Sequence, residues 1–249
     1  MLRFLTPVRL ANQADVAVRE QLLQQAPTSL ALGFEVILLE NDYTLLETLV
    51  RFKHLLHFPI CSVHVPFPQV DGDSSQFDLR TVAGETKLRA TAKIATTLEA
   101  KIVVVHSQLA YSLVDWQTDY NSETWRDELF KVMVDCIQRV QRDYPATTLC
   151  LENMPLPLFA DTVSDAERMR YNPCWLTFGD MQRLQHLGQP LTWDICHYDL
   201  MRRLWPEAHL LLGTYSDAVQ PDYLTVMTSF GDNIKHLHLA DWARGRVVF

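Results

Sequence analysis

Short apolar, β-rich runs recur seven times along the chain, and most of the gaps between them carry helical period. The runs are RFLTPV (3–8), FEVILLE (34–40), ICSVHVP (60–66), KIVVVHS (101–107), TLCLENM (148–154), PLTWDIC (190–196) and IKHLHLAD (234–241). Helical segments are expected over 43–56, 85–99, 122–144 and 177–187. In the third of these, Leu129, Phe130, Met133, Cys136, Ile137 and Val140 share one face and Pro145 ends the pattern. Gly188 is the expected C-cap residue of the fourth. Strands that alternate with helices need right-handed crossovers, which give a parallel sheet covered by helices. At 249 residues the chain also has the usual length of a (β/α)₈ barrel. The rival doubly wound sheet usually carries a glycine-rich phosphate turn after an early strand, and neither GxGxxG nor GxxxxGK[ST] occurs here. The expected fold class is therefore α/β, a TIM (β/α)₈-type barrel, as one domain over 1–249 without linker or repeat. The sequence stops at WARGRVVF before an eighth run, so strand 8 is lacking. A barrel open there would expose sheet edges at strands 7 and 1, so truncation at the C-terminus is the first expectation, with a partner that supplies the strand or an incomplete site as the alternatives.

The net charge of −8 disfavours nucleic acid and anionic membranes as partners, because it supplies no general attraction to phosphate. Five cysteines, Cys61, Cys136, Cys150, Cys174 and Cys196, lack CxxC spacing, and three lie in apolar runs where a reduced thiol packs as a small hydrophobe. The amino terminus carries no signal-peptide core and no segment reaches the length of a membrane span. A cytoplasmic protein is the expectation; its oligomeric state stays open.

Alternate residues of a barrel strand point inward, and the carboxyl ends of the strands carry the chemistry. His64, His106, Glu152, Asp194 and His238 end five consecutive runs. Period two puts each on the face of Ser62, Val104, Cys150, Thr192 and His236 respectively. His197 follows three residues after Asp194 and is expected to reach the rim from the loop beyond that strand; Asp241 sits similarly beyond the seventh. One such residue is ordinarily hydrogen-bonded structure, whereas five on successive strands point to a metal centre. Imidazoles with carboxylates suit Zn²⁺ or Mn²⁺ first and Fe²⁺ or Co²⁺ next, and argue against the oxygen-seeking Mg²⁺ and Ca²⁺. His236 is read as a polar layer residue or a partner that orients a ligand. Cys150 and Cys196 are assigned to packing, and His54, His57, His186 and His209 to the surface.

SVHVPF, VVVHS, LENM, DICH and HLHLAD, in that order, resemble the xylose isomerase-like TIM barrels, the superfamily that joins endonuclease IV with sugar isomerases and epimerases. The resemblance to the endonuclease IV branch implies His64, His106, Glu152, Asp194, His197 and His238 as metal ligands, with Glu152 bridging two ions. The isomerase and epimerase branch implies one ion, on Glu152, Asp194 and His238. The chain departs from both by lacking the strand 8 carboxylate, and from endonuclease IV by lacking an Asp-x-His pair after strand 7.

The first functional reading is a divalent-metal-dependent isomerase or epimerase of a small sugar, sugar phosphate or related polyol, with Glu152 as a catalytic acid or base. The second is an endonuclease IV-like phosphoesterase acting on abasic DNA, which the His64 and His106 pair favours and the acidic charge opposes. There Arg170, Arg202, Arg203, Arg244 and Arg246 would be local phosphate contacts; solvated surface charge is their ordinary role. The third is a non-catalytic metal-binding barrel.

Overall fold

β1 (Arg3–Val8), β2 (Ala31–Ile37), β3 (Ile60–His64), β4 (Ile102–Val105), β5 (Thr148–Glu152), β6 (Leu191–Asp194) and β7 (Ile234–His238) form one parallel sheet in chain order. The computed structural model describes residues 3–8, 10, 12–26, 31–39, 44, 46–66, 77–106, 111–115, 118, 122–154, 176–212, 220–239, 241–243 and 246–248. Two compact units make up the chain. One comprises Met1–Phe67, Thr86–Val105 and Arg139–Leu149; the other comprises Pro68–Glu85, His106–Gln138 and Cys150–Phe249.

In the first unit β1 pairs with β2, β2 with β3 and β3 with β4, and Thr148 at the start of β5 donates to Lys101 O at 2.8 Å. Phe34, Val36, Val63, Val103, Val104 and Val105 are wholly buried. These near-continuous apolar runs are what a sheet covered on both faces requires. β2 starts at Ala31 rather than 34 because its ladder follows β1 from Arg3 onward. α1 (Gln13–Gln25) is capped by Asn12, whose side chain accepts the Asp15 N–H; α2 (Leu46–Lys53) and most of α3 (Val82–Thr97) complete the unit.

Gly33 marks a close approach within this unit. A Cβ there would lie 2.5 Å from Cys61 Sγ and 2.8 Å from the Pro59 carbonyl oxygen, and that carbonyl is already held by the Phe34 N–H at 2.9 Å. Gly33→Ala is expected to lower stability by about 1–3 kcal/mol through overpacking. The urea midpoint should fall with an unchanged slope, and an unaltered midpoint would contradict this packing.

The second unit contains α4 (Leu113–Asp115), most of α5 (Glu123–Asp143), α6 (Phe178–His186), α7 (Ile195–Leu212), α8 (Tyr223–Phe230) and the end of β5 with β6 and β7. The expected stripe on α5 is buried, from Leu129 at 3% exposed to Met133 and Cys136 at zero. The buried Arg126 of α5 bonds Asp180 at 2.5 Å, and Asp180 also closes a capping box with Thr177 at the start of α6. α6 is capped by Leu187, one residue before the expected Gly188, and Gly188 follows with a φ of +69°, the left-handed conformation that glycine adopts without strain. β8 (Asp241–Ala243) and β9 (Arg246–Val248) pair antiparallel with each other, and the described residues contain no eighth strand of the parallel sheet. This is the α/β order of a TIM-type barrel without its eighth strand. Among the described residues no helix is long and apolar enough to cross a membrane.

Candidate metal centre

β5, β6 and β7 are neighbours in the second unit, and their carboxyl ends carry Glu152, Asp194 and His238. The β5–β6 register sets Glu152 beside Thr192, and the β6–β7 register sets Thr192 beside His236 and Asp194 beside His238. A register shift in this second pair skips Lys235. Without it Asp194 would face Leu237, so the irregularity brings an imidazole to the carboxylate, as bulges beside functional sites commonly do. The His236 and His238 rings lie 5.0 Å apart, in keeping with their shared face.

α7 begins at Ile195, directly after β6, so His197 belongs to its first turn and not to a loop. The reason is local. Asp194 precedes the helix, and its Oδ1 accepts the His197 backbone N–H at 2.7 Å, the bond a capping carboxylate makes to the third helical residue. The D-x-x-H spacing is thus also the spacing of a helix cap. On the other face of β6, buried Trp193 packs edge-on against Tyr198 of α7 at 5.6 Å, and Tyr198 Oη donates to Pro221 O at 3.0 Å. Both contacts fix the turn that carries His197.

Ligand atoms of Glu152, Asp194 and His197 lie within 4.8 Å of one another. His238 Nδ1 is 2.7 Å from Glu152 Oε1 and 3.7 Å from Asp194 Oδ2. The carboxylates are buried, at 1% and 2% exposed, whereas the side chains of His197 and His238 keep 15% and 17%. Burial holds the Asp194 carboxyl above the ordinary carboxylate range; the His197 charge opposes this and the Glu152 charge adds to it. Two buried carboxylates this close are tolerated when positive charge lies between or beside them. Two imidazoles with two carboxylates are also a donor set for a first-row transition metal, so these residues fit the cation that the sequence implies.

Asn153, which the sequence reading passed over, is 2% exposed and holds this cluster together. Its Oδ1 accepts the Asp194 N–H at 2.7 Å, its Nδ2 donates to Asp194 O at 2.9 Å, and its carbonyl oxygen lies 2.9 Å from His197 Nδ1. Glu35 of the first unit, an acidic residue inside an apolar run, was also passed over; it is 6% exposed and accepts from Ser62 Oγ at 2.7 Å.

His64 ends β3 in the first unit, 1% exposed, with Nδ1 2.6 Å from Val65 O. His106 follows β4 and is fully buried; among the described residues it joins no group of three donors within 4.8 Å. Cys150 and Cys196 are core residues, and burial pushes the Cys150 thiol up to about 12. Arg202 stacks over the Tyr223 ring at 5.2 Å and Arg203 pairs with Asp199 at 2.6 Å. Arg170, Arg244 and Cys174 lie outside the described residues, as do the side chains of His209, Asp241 and Arg246.

No protein-family model matches the sequence, and no curated protein does. Solved structures are similar to it. The apo 3-keto-D-glucoside 4-epimerase YcjR from E. coli has a TM-score of 0.59 at 14% identity, over 96% of this chain and 80% of that one. AP endonuclease, family 2 from Brucella melitensis has 0.55 at 12%, over 95% and 78%. The xylose isomerase domain protein from Planctomyces limnophilus has 0.53 at 10%, over 98% and 78%. At such identities the likeness is one of architecture, and it agrees with the strand order. The chain shares the TIM-barrel fold of these structures.

Proposed function

We propose that Glu152, Asp194, His197 and His238 hold a divalent transition-metal ion, Zn²⁺ or Mn²⁺ first, and that the protein is a metal-dependent isomerase or epimerase of a small sugar or related polyol. The observation that carries this reading is the convergence of two buried carboxylates and two half-buried imidazoles at three neighbouring strand ends. The fold likeness to a 3-keto-D-glucoside 4-epimerase supports it, and the net charge of −8 speaks for a small substrate over DNA. Bound there, the cation supplies the Lewis acidity that polarises a carbonyl and its neighbouring hydroxyl.

The remaining work falls to the chain. Glu152 Oε1, hydrogen-bonded to His238 Nδ1, is the group that takes or returns a proton at the carbon next to the carbonyl. His197 directs its Nδ1 to the main-chain carbonyl of Asn153, which turns Nε2 toward the cation or a substrate hydroxyl. Burial of both carboxylates excludes water from the side of the cluster facing the sheet.

The test is turnover of ketoses and keto-glycosides in D₂O by the metal-loaded protein, followed by NMR. Deuterium at the carbon beside the carbonyl, abolished by chelation, is expected. Metal-dependent cleavage of an abasic duplex without sugar exchange would move the protein to the phosphoesterase reading. Stoichiometric metal with neither activity would leave a binding protein.

A further inference from the structure

We propose that Asn153 is a positioning residue that fixes three of the metal-binding side chains at once, an inference that rests on reading the cluster as a metal site. The β5–β6 ladder ends at Glu152 and Thr192, and the main chain of β5 goes no further. Asp194 is the next residue of β6 whose peptide groups face β5. Its N–H and C=O would end there without a strand partner. The Asn153 carboxamide takes both, presenting an acceptor at 2.7 Å and a donor at 2.9 Å much as a peptide group would. It therefore extends the ladder by one residue, and that residue is a ligand.

The same residue acts on the other two. Glu152 precedes it in the chain, so a fixed Asn153 side chain fixes the strand end from which Glu152 projects. The main-chain carbonyl of Asn153, aimed by the anchored side chain, accepts from His197 Nδ1 at 2.9 Å; this selects the Nδ1–H tautomer and leaves Nε2 as the ligating nitrogen, and a residue without the carboxamide leaves that carbonyl free to turn away. Both polar atoms of the carboxamide are engaged with main chain, so Asn153 is not itself a ligand. No other side chain of this length offers a donor and an acceptor at that spacing.

The test uses the 249-residue chain with Asn153→Leu, which keeps the shape and removes both carboxamide bonds. Zn²⁺ affinity is measured by competition with a chromophoric chelator, with thermal melting as the control for folding. In parallel, nitrogen–proton correlation NMR reads the His197 tautomer in metal-free protein at a pH well above the ordinary imidazole value of about 6.5. The His197 signal is assigned with His197→Gln. The expected result is a folded variant with Zn²⁺ affinity lowered about 10- to 100-fold and His197 released into a mixture of tautomers. Wild-type affinity and an unchanged Nδ1–H tautomer in the folded variant would overturn the proposal. If Asn153→Leu does not fold, Asn153→Ala, where water can enter the vacated space, carries the same two readouts with a smaller expected loss. A wild-type protein that binds no Zn²⁺ would defeat the metal reading alone, because the tautomer still reports whether Asn153 orients His197.

Discussion

Glu152→Gln is expected to leave the fold intact while lowering affinity for a divalent cation on the order of 10²- to 10³-fold and abolishing metal-dependent turnover. Glutamine keeps the size of the side chain and an oxygen for the His238 Nδ1–H, so the 2.7 Å hydrogen bond survives. What disappears is one negative charge beside the cation. A unit charge pair about 4 Å apart at an effective dielectric near 20 is worth about 4 kcal/mol, and each ~1.4 kcal/mol is tenfold in affinity. Titration with Mn²⁺ and Zn²⁺ alongside thermal melting separates the two effects. Unchanged affinity would remove Glu152 from the site, whereas loss of the fold would make it a structural residue.

Asp194→Asn is expected to act with opposite signs on binding and stability. The carboxyl is 2% exposed, and burial raises its folded pKa above the ordinary carboxylate value of about 3.9. The stability tied to the protonated form is fully present below that ordinary value and is lost as pH rises through the folded one. As pH rises through that value the metal-free protein takes on the cost of a buried charge. Asparagine removes the charge and keeps Oδ1 for the His197 N–H. The metal-free variant should melt higher, by about 2–4 °C for each kcal/mol relieved in a protein of this size. It should also lose less stability between acid and neutral pH. With metal present the order reverses, because a cation at a hundred times its Kd adds about 2.7 kcal/mol to the wild type alone. A variant that melts lower without metal, or that gains as much from metal as the wild type, would contradict the account.

The strands were legible because strands buried on both faces read as continuous apolar runs, and because polar residues at their ends stand out against that background. The α5 stripe was legible for the same reason: Leu129 through Val140 recur at helical spacing and all are buried. α1 was not, since Val16 and Leu23 alone are deeply buried while Val18 and Leu22 stay half exposed, which leaves no broad apolar face to detect. α7 was missed because Pro206 lies within it and its first turn is taken up by His197 and its neighbours. Pairing geometry was out of reach as well. The shift at Lys235 that sets His238 beside Asp194 is a property of two strands together. Asn153 was hidden by the period-two rule itself, which turns the residue after Glu152 away from the site; its role arises only because the ladder stops one residue earlier.

The central claim, that the ends of β5, β6 and β7 hold a divalent cation, is tested most directly by anomalous diffraction from crystals grown with Mn²⁺, beside crystals of an Asp194→Ala, His238→Ala double variant. The account predicts one strong anomalous peak in the wild type, at about 2.0–2.3 Å from oxygen or nitrogen atoms of Glu152, Asp194, His197 and His238, and no peak there in the variant. A wild-type peak elsewhere, or one that persists in the double variant, would contradict it.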